Sequence, residues 1–125
     1  MAPRPVRVLV VDDDRDSVTG LLHLLGDEGF HARGAGAGDE ALSVLRSFDP
    51  DAVLLDIAMP GLNGWEVARQ IRRMKGFRRP LLIGITGVYL EDPDVVIGRM
   101  SGFDHYLAKP YELSSLLALL APLRK

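Results

Sequence analysis

Five polar residues draw notice because each ends or follows an apolar run. Asp12 and Asp13 follow Val6–Val11, Asp56 interrupts Val53–Ile57, Thr86 ends Leu81–Thr86, and Lys109 follows His105–Ala108. A buried strand gains nothing from a charge that must be desolvated, so Asp56 is either paired structurally or reactive. Three carboxylates gathered at one place repel one another and cannot all stay ionised unaided. A hard divalent cation resolves that repulsion. Mg²⁺ takes oxygen ligands and keeps several waters, so two carboxylates, a carbonyl and waters suffice. A lysine is a compact, mobile cation suited to a phosphoryl oxygen, and a threonine hydroxyl can donate a hydrogen bond to it. Metal, carboxylate nucleophile, lysine and hydroxyl are together the parts for phosphoryl transfer onto Asp56, a reaction governed by positioning and charge neutralisation.

These residues can meet only if the runs that carry them are neighbouring strands. The order along the chain supports that. Val6–Val11 is a β-branched run and reads as the first strand. A helix follows, with Ser17, Val18, Leu21, Leu22, Leu24 and Leu25 at helical spacing and Gly26 and Gly29 as stop signals. Phe30–Ala35 reads as a weak second strand at a sheet edge, because Gly34 packs nothing. Asp39 is placed to cap a helix running through Phe48, with Glu40 in its first turn. The central run, Val53–Ile57, is continuous and bounded by breakers, as in a parallel strand covered on both faces. A helix from Asn63 to Lys75 follows it. Leu81–Thr86 is a fourth strand, where Gly84 signals close packing, and Pro93 opens a helix to Ser101. A short strand, His105–Ala108, precedes a last helix striped by Leu113, Leu116, Leu117 and Leu120.

Five β-α repeats imply an α/β fold with a parallel sheet and helices on both faces. At this size the expected architecture is the flavodoxin-like, doubly wound, five-stranded sheet of order 2-1-3-4-5 with five helices. Ligands bind such sheets outside the carboxyl ends of the strands, near the point where strand order reverses. All five polar residues fall at those ends.

Bulk properties narrow the function further. The 125 residues are read as one domain, 1–125. Mean hydropathy is +0.10 and no apolar run approaches the ~18 residues of a membrane span. Met1-Ala2-Pro3-Arg4-Pro5 lacks the apolar core of a signal peptide, so a cytoplasmic location is expected, and with no cysteine in the sequence disulfides and thiolate metal sites are excluded. A net charge of −2 supplies no general attraction for nucleic acid. None of His23, His31 and His105 is required by the chemistry, and they are read as ordinary surface or partly buried residues.

The segments Val10-Val11-Asp12-Asp13-Asp14, Leu55-Asp56-Ile57-Ala58-Met59-Pro60-Gly61, Ile85-Thr86-Gly87 and Tyr106-Leu107-Ala108-Lys109-Pro110 together resemble a response-regulator receiver domain. The resemblance spans essentially the whole chain, with four motifs in order. It implies that a histidine kinase or histidine phosphotransfer protein passes a phosphoryl group to Asp56. It implies that Asp13 and Asp56 bind Mg²⁺ directly, with the Ala58 carbonyl, and Asp12 through water. A cis peptide at Lys109–Pro110 is also implied, and X-Pro bonds alone adopt cis cheaply. In the switch so implied, Thr86 moves toward the phosphoryl group and Tyr106 turns inward. That remodels the surface of the fourth helix, fifth strand and fifth helix for a protein partner. The chain would act as a phospho-acceptor, either a monomer or a weak dimer, with no direct contact to nucleic acid or membrane.

Plainer readings stand beside these. Asp12, Asp13 and Asp56 could cap helices and form one buried ion pair with Lys109, although that leaves the excess of carboxylates unexplained. Asp14 and Asp16 are read as helix caps facing solvent. Arg69, Arg72, Arg73, Lys75, Arg78 and Arg79 are read as a solvated helix face and loop. Leu119 and Leu123 either pack under the chain end or belong to a partner surface. Ala58 stands where a phospho-aspartate phosphatase would carry a second acid, which disfavours a hydrolase. A flavin phosphate would be repelled by the acidic crevice. A pseudo-receiver acting only as an interaction module is the remaining alternative. Ala58 and Val88 lie two residues beyond Asp56 and Thr86, and neither side chain can orient an attacking water.

Overall fold

The computed structural model describes residues 4–57, 64–74, 79–86 and 102–124, with Trp65 and Thr86 described in their backbone alone. The strands are β1 (Arg7–Val11), β2 (His31–Ala35), β3 (Ala52–Asp56), β4 (Leu81–Thr86) and β5 (His105–Ala108). They form one parallel sheet in the order β2-β1-β3-β4-β5, the doubly wound order expected. The helices described are α1 (Arg15–Asp27), α2 (Gly38–Phe48), α3 (Gly64–Arg73) and a C-terminal helix, Leu113–Leu120, closed by a 3-10 turn at Ala121–Leu123. The helix expected between Pro93 and Ser101 lies outside the described residues.

The two-residue period of the strands divides the core into two layers. Leu9, Val11, Val53, Leu55 and Leu82 point to one face, where Ala41, Leu45 and Phe48 of α2 and Val67, Ala68 and Ile71 of α3 cover them. Val8, Val10, Leu54, Ile83 and Ile85 point to the other face, against Leu25 of α1 and Leu116 and Leu120 of the C-terminal helix. Val53, Leu54 and Leu55 are fully covered on both sides, which explains the unbroken apolar run. Leu119 and Leu123 are partly buried against the second layer, so they do pack under the chain end.

Local chemistry sets the helix ends, with some departures from the sequence reading. Asp14 caps α1, its side chain accepting from the amides of Asp16 and Ser17. Asp16 is not a cap but an acid in the first turn, where the helix dipole favours it. Gly26 lies inside α1, and the stop is Gly29, at φ 89°. Asp39 does not cap α2, because the helix begins one residue before it, at Gly38, with Ala37 as the capping residue. Glu40 reaches back instead and accepts from the Gly36 amide at 2.6 Å.

One other departure matters for the fold. Arg72 is not part of a solvated face. Its guanidinium donates to the carbonyls of Gly102 (3.0 and 2.7 Å) and Pro80 (2.8 Å) and to Asp104 (2.8 Å). Burial lowers the Arg72 pKa from its ordinary value, with Asp104 opposing that shift. Arg69 pairs along α3 with Glu66 at 3.2 Å, while Arg73 is exposed. Lys75 and Arg78 lie outside the described residues.

Candidate functional site

The carboxyl ends of β1 and β3 lie side by side where strand order reverses, and the Lys109 side chain reaches them from the end of β5, past β4. β1 ends at Val11, and the amide of Asp12 still donates to the Ala35 carbonyl of β2 at 3.1 Å. That bond holds the backbone in line while the Asp12 side chain turns toward the crevice. Its Oδ1 accepts from the Asp14 amide at 2.9 Å, tying the carboxylate to the start of α1. Asp56 is the last residue of β3, paired in register with Ile85 of β4. Just beyond it the Ile57 amide donates to the Ile85 carbonyl at 2.9 Å and the Gly64 amide to the Ile57 carbonyl at 2.8 Å. A Cβ on Gly64 would lie 2.6 Å from the Ile57 Cα and 2.8 Å from the Asp56 carbonyl oxygen, so only glycine lets α3 start this close to the site.

Carboxylate oxygens of Asp12, Asp13 and Asp56 all lie within 4.8 Å of one another. Lys109, immediately after β5, brings its Nζ to 3.4 Å from Asp12 Oδ2 and 3.7 Å from Asp56 Oδ2. The Asp12 and Asp56 side chains are each 12% exposed, whereas Lys109 is 39% exposed and free to move outward. Partial burial acts to lower the Lys109 pKa. The charges of Asp12 and Asp56, with the hydrogen bond to Asp12, outweigh it and raise the pKa above the usual lysine value. Lys109 is therefore cationic at neutral pH. Burial raises the Tyr111 phenol, two residues on, above its ordinary range.

Among the described residues one ammonium faces these three carboxylates, so carboxylates are in excess in a crevice partly screened from water. Oxygen-only donors of this charge suit a hard divalent cation of the Mg²⁺ or Ca²⁺ type. The Lys109–Pro110 peptide is cis. Thr86 closes β4, in register with Ala108 of β5, which sets its backbone at the same end of the sheet. Tyr106 is half-buried on β5, with its ring centroid 5.3 Å from that of Phe103. Gly84 on β4 makes room for that ring, since a Cβ there would stand 3.0 Å from Tyr106 Cδ1. Ala58 and Val88 lie outside the described residues.

The structure thus brings together Asp12, Asp13, Asp56 and Lys109, with Thr86 and Tyr106 on the adjoining strands. Sequence reasoning passed over Gly20 and Tyr111, which line a cavity beside Asp12 and Asp56. A glycine inside an otherwise strong helical pattern was the available signal for the first.

Comparison with known proteins bears on this site. The family model for the response regulator receiver domain matches residues 8–121. The DNA-binding response regulator MtrA of Mycobacterium tuberculosis is 40% identical over 112 residues, which are 90% of this chain and 47% of that protein. Response regulator MprA of Mycolicibacterium vanbaalenii is 43% identical over 114 residues, 91% of this chain and 48% of that protein. The chain therefore spans about half the length of the curated relatives it matches. Among solved structures, the chemotaxis protein CheY4 of Vibrio cholerae superposes with a TM-score of 0.87 at 25% identity, covering 94% of this chain and 98% of that one. The BeF3-activated N-terminal receiver domain of Klebsiella pneumoniae RstA superposes with a TM-score of 0.84 at 28% identity, covering 95% and 99%.

Proposed function

The chain belongs to the response regulator receiver domain family, and from that premise we propose that it is a phosphorylation-dependent switch whose acceptor is Asp56. The observation that carries this reading is the crowding of three carboxylates against a single lysine at the carboxyl ends of β1, β3 and β5. Asp12, Asp13 and Asp56 would hold Mg²⁺, with the Ala58 carbonyl as a further ligand. The bound ion would supply charge neutralisation for the carboxylates and for the incoming phosphoryl oxygens.

The residues of the chain divide the remaining tasks. An Asp56 carboxylate oxygen attacks the phosphorus of a phospho-histidine, and the bond from phosphorus to the imidazole nitrogen breaks. Asp12, tied to the start of α1 through the Asp14 amide, orients the acidic end of the site. Lys109 leaves its two carboxylate partners for a phosphoryl oxygen, a short movement for a flexible, partly exposed ammonium. Thr86 donates to another phosphoryl oxygen, and Tyr106 rotates inward as Thr86 moves. Phosphorylation so biases a two-state surface that includes β5 and the C-terminal helix, which a protein partner reads.

In this reading residues 1–125 act as one receiver domain in the cytoplasm, taking phosphoryl groups from a histidine kinase or a histidine phosphotransfer protein. It is a phospho-acceptor that assists its own phosphorylation and dephosphorylation. Among the described residues no helix is long and apolar enough to cross a membrane.

The test is intact-protein mass after incubation with acetyl phosphate, with and without Mg²⁺, beside Asp56→Asn. One added phosphoryl group that needs both Mg²⁺ and Asp56 is the expected result. An adduct that survives Asp56→Asn would assign the acceptor elsewhere.

A further inference from the structure

Arg72, one residue before the end of α3, grips both neighbours of Phe103. Its Nε and Nη2 donate to the Gly102 carbonyl at 3.0 and 2.7 Å, and Nη2 also donates to Asp104 Oδ2 at 2.8 Å. A Cβ on Gly102, at φ 97°, would lie 2.6 Å from Arg72 Cγ, so the arginine stem lies directly against that backbone. Asp104 is fixed in turn. Its amide donates to the Leu82 carbonyl and its Oδ2 accepts from the Leu82 amide, both at 2.8 Å. Phe103 therefore has a held residue on either side.

The Phe103 side chain, 5% exposed, faces the switch. Three side chains share the space that Gly84 leaves. A Cβ there would stand 3.0 Å from Tyr106 Cδ1, 3.1 Å from Ile57 Cδ1 and 3.1 Å from Phe103 Cε1. Ile57 directly follows Asp56, and its carbonyl accepts from the Gly64 amide that opens α3, at 2.8 Å. Tyr106 thus packs between one wall tied to the acceptor, Ile57, and one tied to Arg72, Phe103.

We propose that Arg72 is a positioning residue for the switch: it holds Phe103 rigid, so that phosphorylation at Asp56 moves Tyr106 between two discrete positions. The inference rests on the reading of Asp56 as acceptor and Tyr106 as the residue that turns. Close-packed side chains are bistable only while their neighbours do not yield. Were Phe103 free to shift, its ring would follow Tyr106, and the two positions would merge into a continuum. The Asp104–Leu82 pair holds one side of Phe103. The planar fork of Arg72 holds both at once, which an ammonium on a flexible lysine stem does not.

The test uses fluorotyrosine-labelled protein and the fluorine NMR signal of Tyr106, assigned with Tyr106→Phe. The ratio of the two Tyr106 states is recorded with Mg²⁺, before and after addition of the phosphoryl mimic BeF3⁻. The unaltered chain, Arg72→Lys, Phe103→Leu and the double variant are compared under conditions where each is folded. BeF3⁻ should shift the ratio in the unaltered chain, and the shift should be about fivefold smaller in Arg72→Lys. Phe103→Leu should lose as much, and the double variant no more, because Arg72 acts through Phe103. Mg²⁺ affinity should stay as in the unaltered chain. A role in stability alone would lower the unfolding midpoint and leave the shift of the folded molecules unchanged. Should Arg72→Lys not fold, Asp104→Asn, which weakens the grip of Arg72, takes its place with the same expected loss.

An undiminished shift in the clamp variant, or losses that add in the double variant, would overturn the inference and leave Asp56 as acceptor. A Tyr106 signal that ignores bound BeF3⁻ in the unaltered chain would overturn it together with the Tyr106 switch. Failure of BeF3⁻ to bind at all would count against Asp56 as acceptor too.

Discussion

The two ends of the parallel sheet handle charge in opposite ways. At the amino ends of the strands, Asp51 and Asp104 are each matched by a guanidinium. Asp51, just before β3, accepts from the Arg7 amide at 2.8 Å and pairs with Arg4 at 3.5 Å. Asp104, just before β5, accepts from the Leu82 amide at 2.8 Å and pairs with Arg72, also at 2.8 Å. Each carboxylate thus joins the start of one strand to the start of its neighbour and has a guanidinium to balance it. At the carboxyl ends three carboxylates crowd together, and among the described residues one ammonium lies 3.4 Å from Asp12 and 3.7 Å from Asp56. Carboxylates of the first kind hold a fold together. Those of the second kind sacrifice stability for a site that can take up a cation and a phosphoryl group.

The comparison predicts that substitutions at the two ends fall into separate classes. Asp56→Asn should abolish phosphoryl acceptance completely without lowering stability, because it removes one of three mutually repelling charges. A large loss of stability in urea unfolding would place Asp56 with the structural carboxylates instead. Arg72→Ala should destabilise the fold by about 3 kcal/mol, since it strips two carbonyls and Asp104 of a shared, mostly buried donor. Its folded fraction should still accept a phosphoryl group at Asp56. Gly64→Ala stands between the classes. Its new methyl group would press on the backbone of Asp56 and Ile57, costing about 2 kcal/mol and slowing phosphorylation together, as urea midpoints and adduct rates would report.

The smallest effect is expected at Asp14. Hydrogen bonding to Ser17 holds its carboxyl below the ordinary 3.8. A depressed carboxyl contributes stability that is present above its unfolded value and lost as pH falls through its folded value. Asp14→Ala should therefore lower the unfolding temperature slightly at pH 7, with the difference shrinking below about pH 4. A difference that persists unchanged at pH 2 would mean that the charge of Asp14 is not what caps α1.

How much of this was legible in the sequence follows from the range of the forces involved. The five strands could be read because β-branched runs and a two-residue period are local signals. β4 and β5 have the boundaries expected, while β1 and β2 begin one residue late and β3 is shifted by one. The acidic crevice could be read because Asp12, Asp13 and Asp56 each break an apolar run, and the doubly wound topology carries such breaks to one end of the sheet.

Arg72 could not be read in the same way. On a helical wheel it lies at the border of the charged face, between Ala68 and Arg69, and its burial depends on the Gly102 carbonyl, 30 residues further along the chain. The cap of α2 was misplaced for a different reason. Asp39 is a better cap by residue type than Ala37, but the contact from Gly36 to Glu40 starts the helix earlier. The cavity was invisible because it is formed by what two helices and the sheet leave unfilled between them.

The most direct test of the distinction between the two ends is Mg²⁺ binding, measured by calorimetry on three proteins: the unaltered chain, Asp56→Asn and Asp104→Asn. The account predicts one site whose affinity falls at least about tenfold in Asp56→Asn, through loss of a charged oxygen ligand, and is unchanged in Asp104→Asn. Equal affinity in all three proteins would contradict it, because the excess of carboxylates at the carboxyl ends would then have no cation to serve.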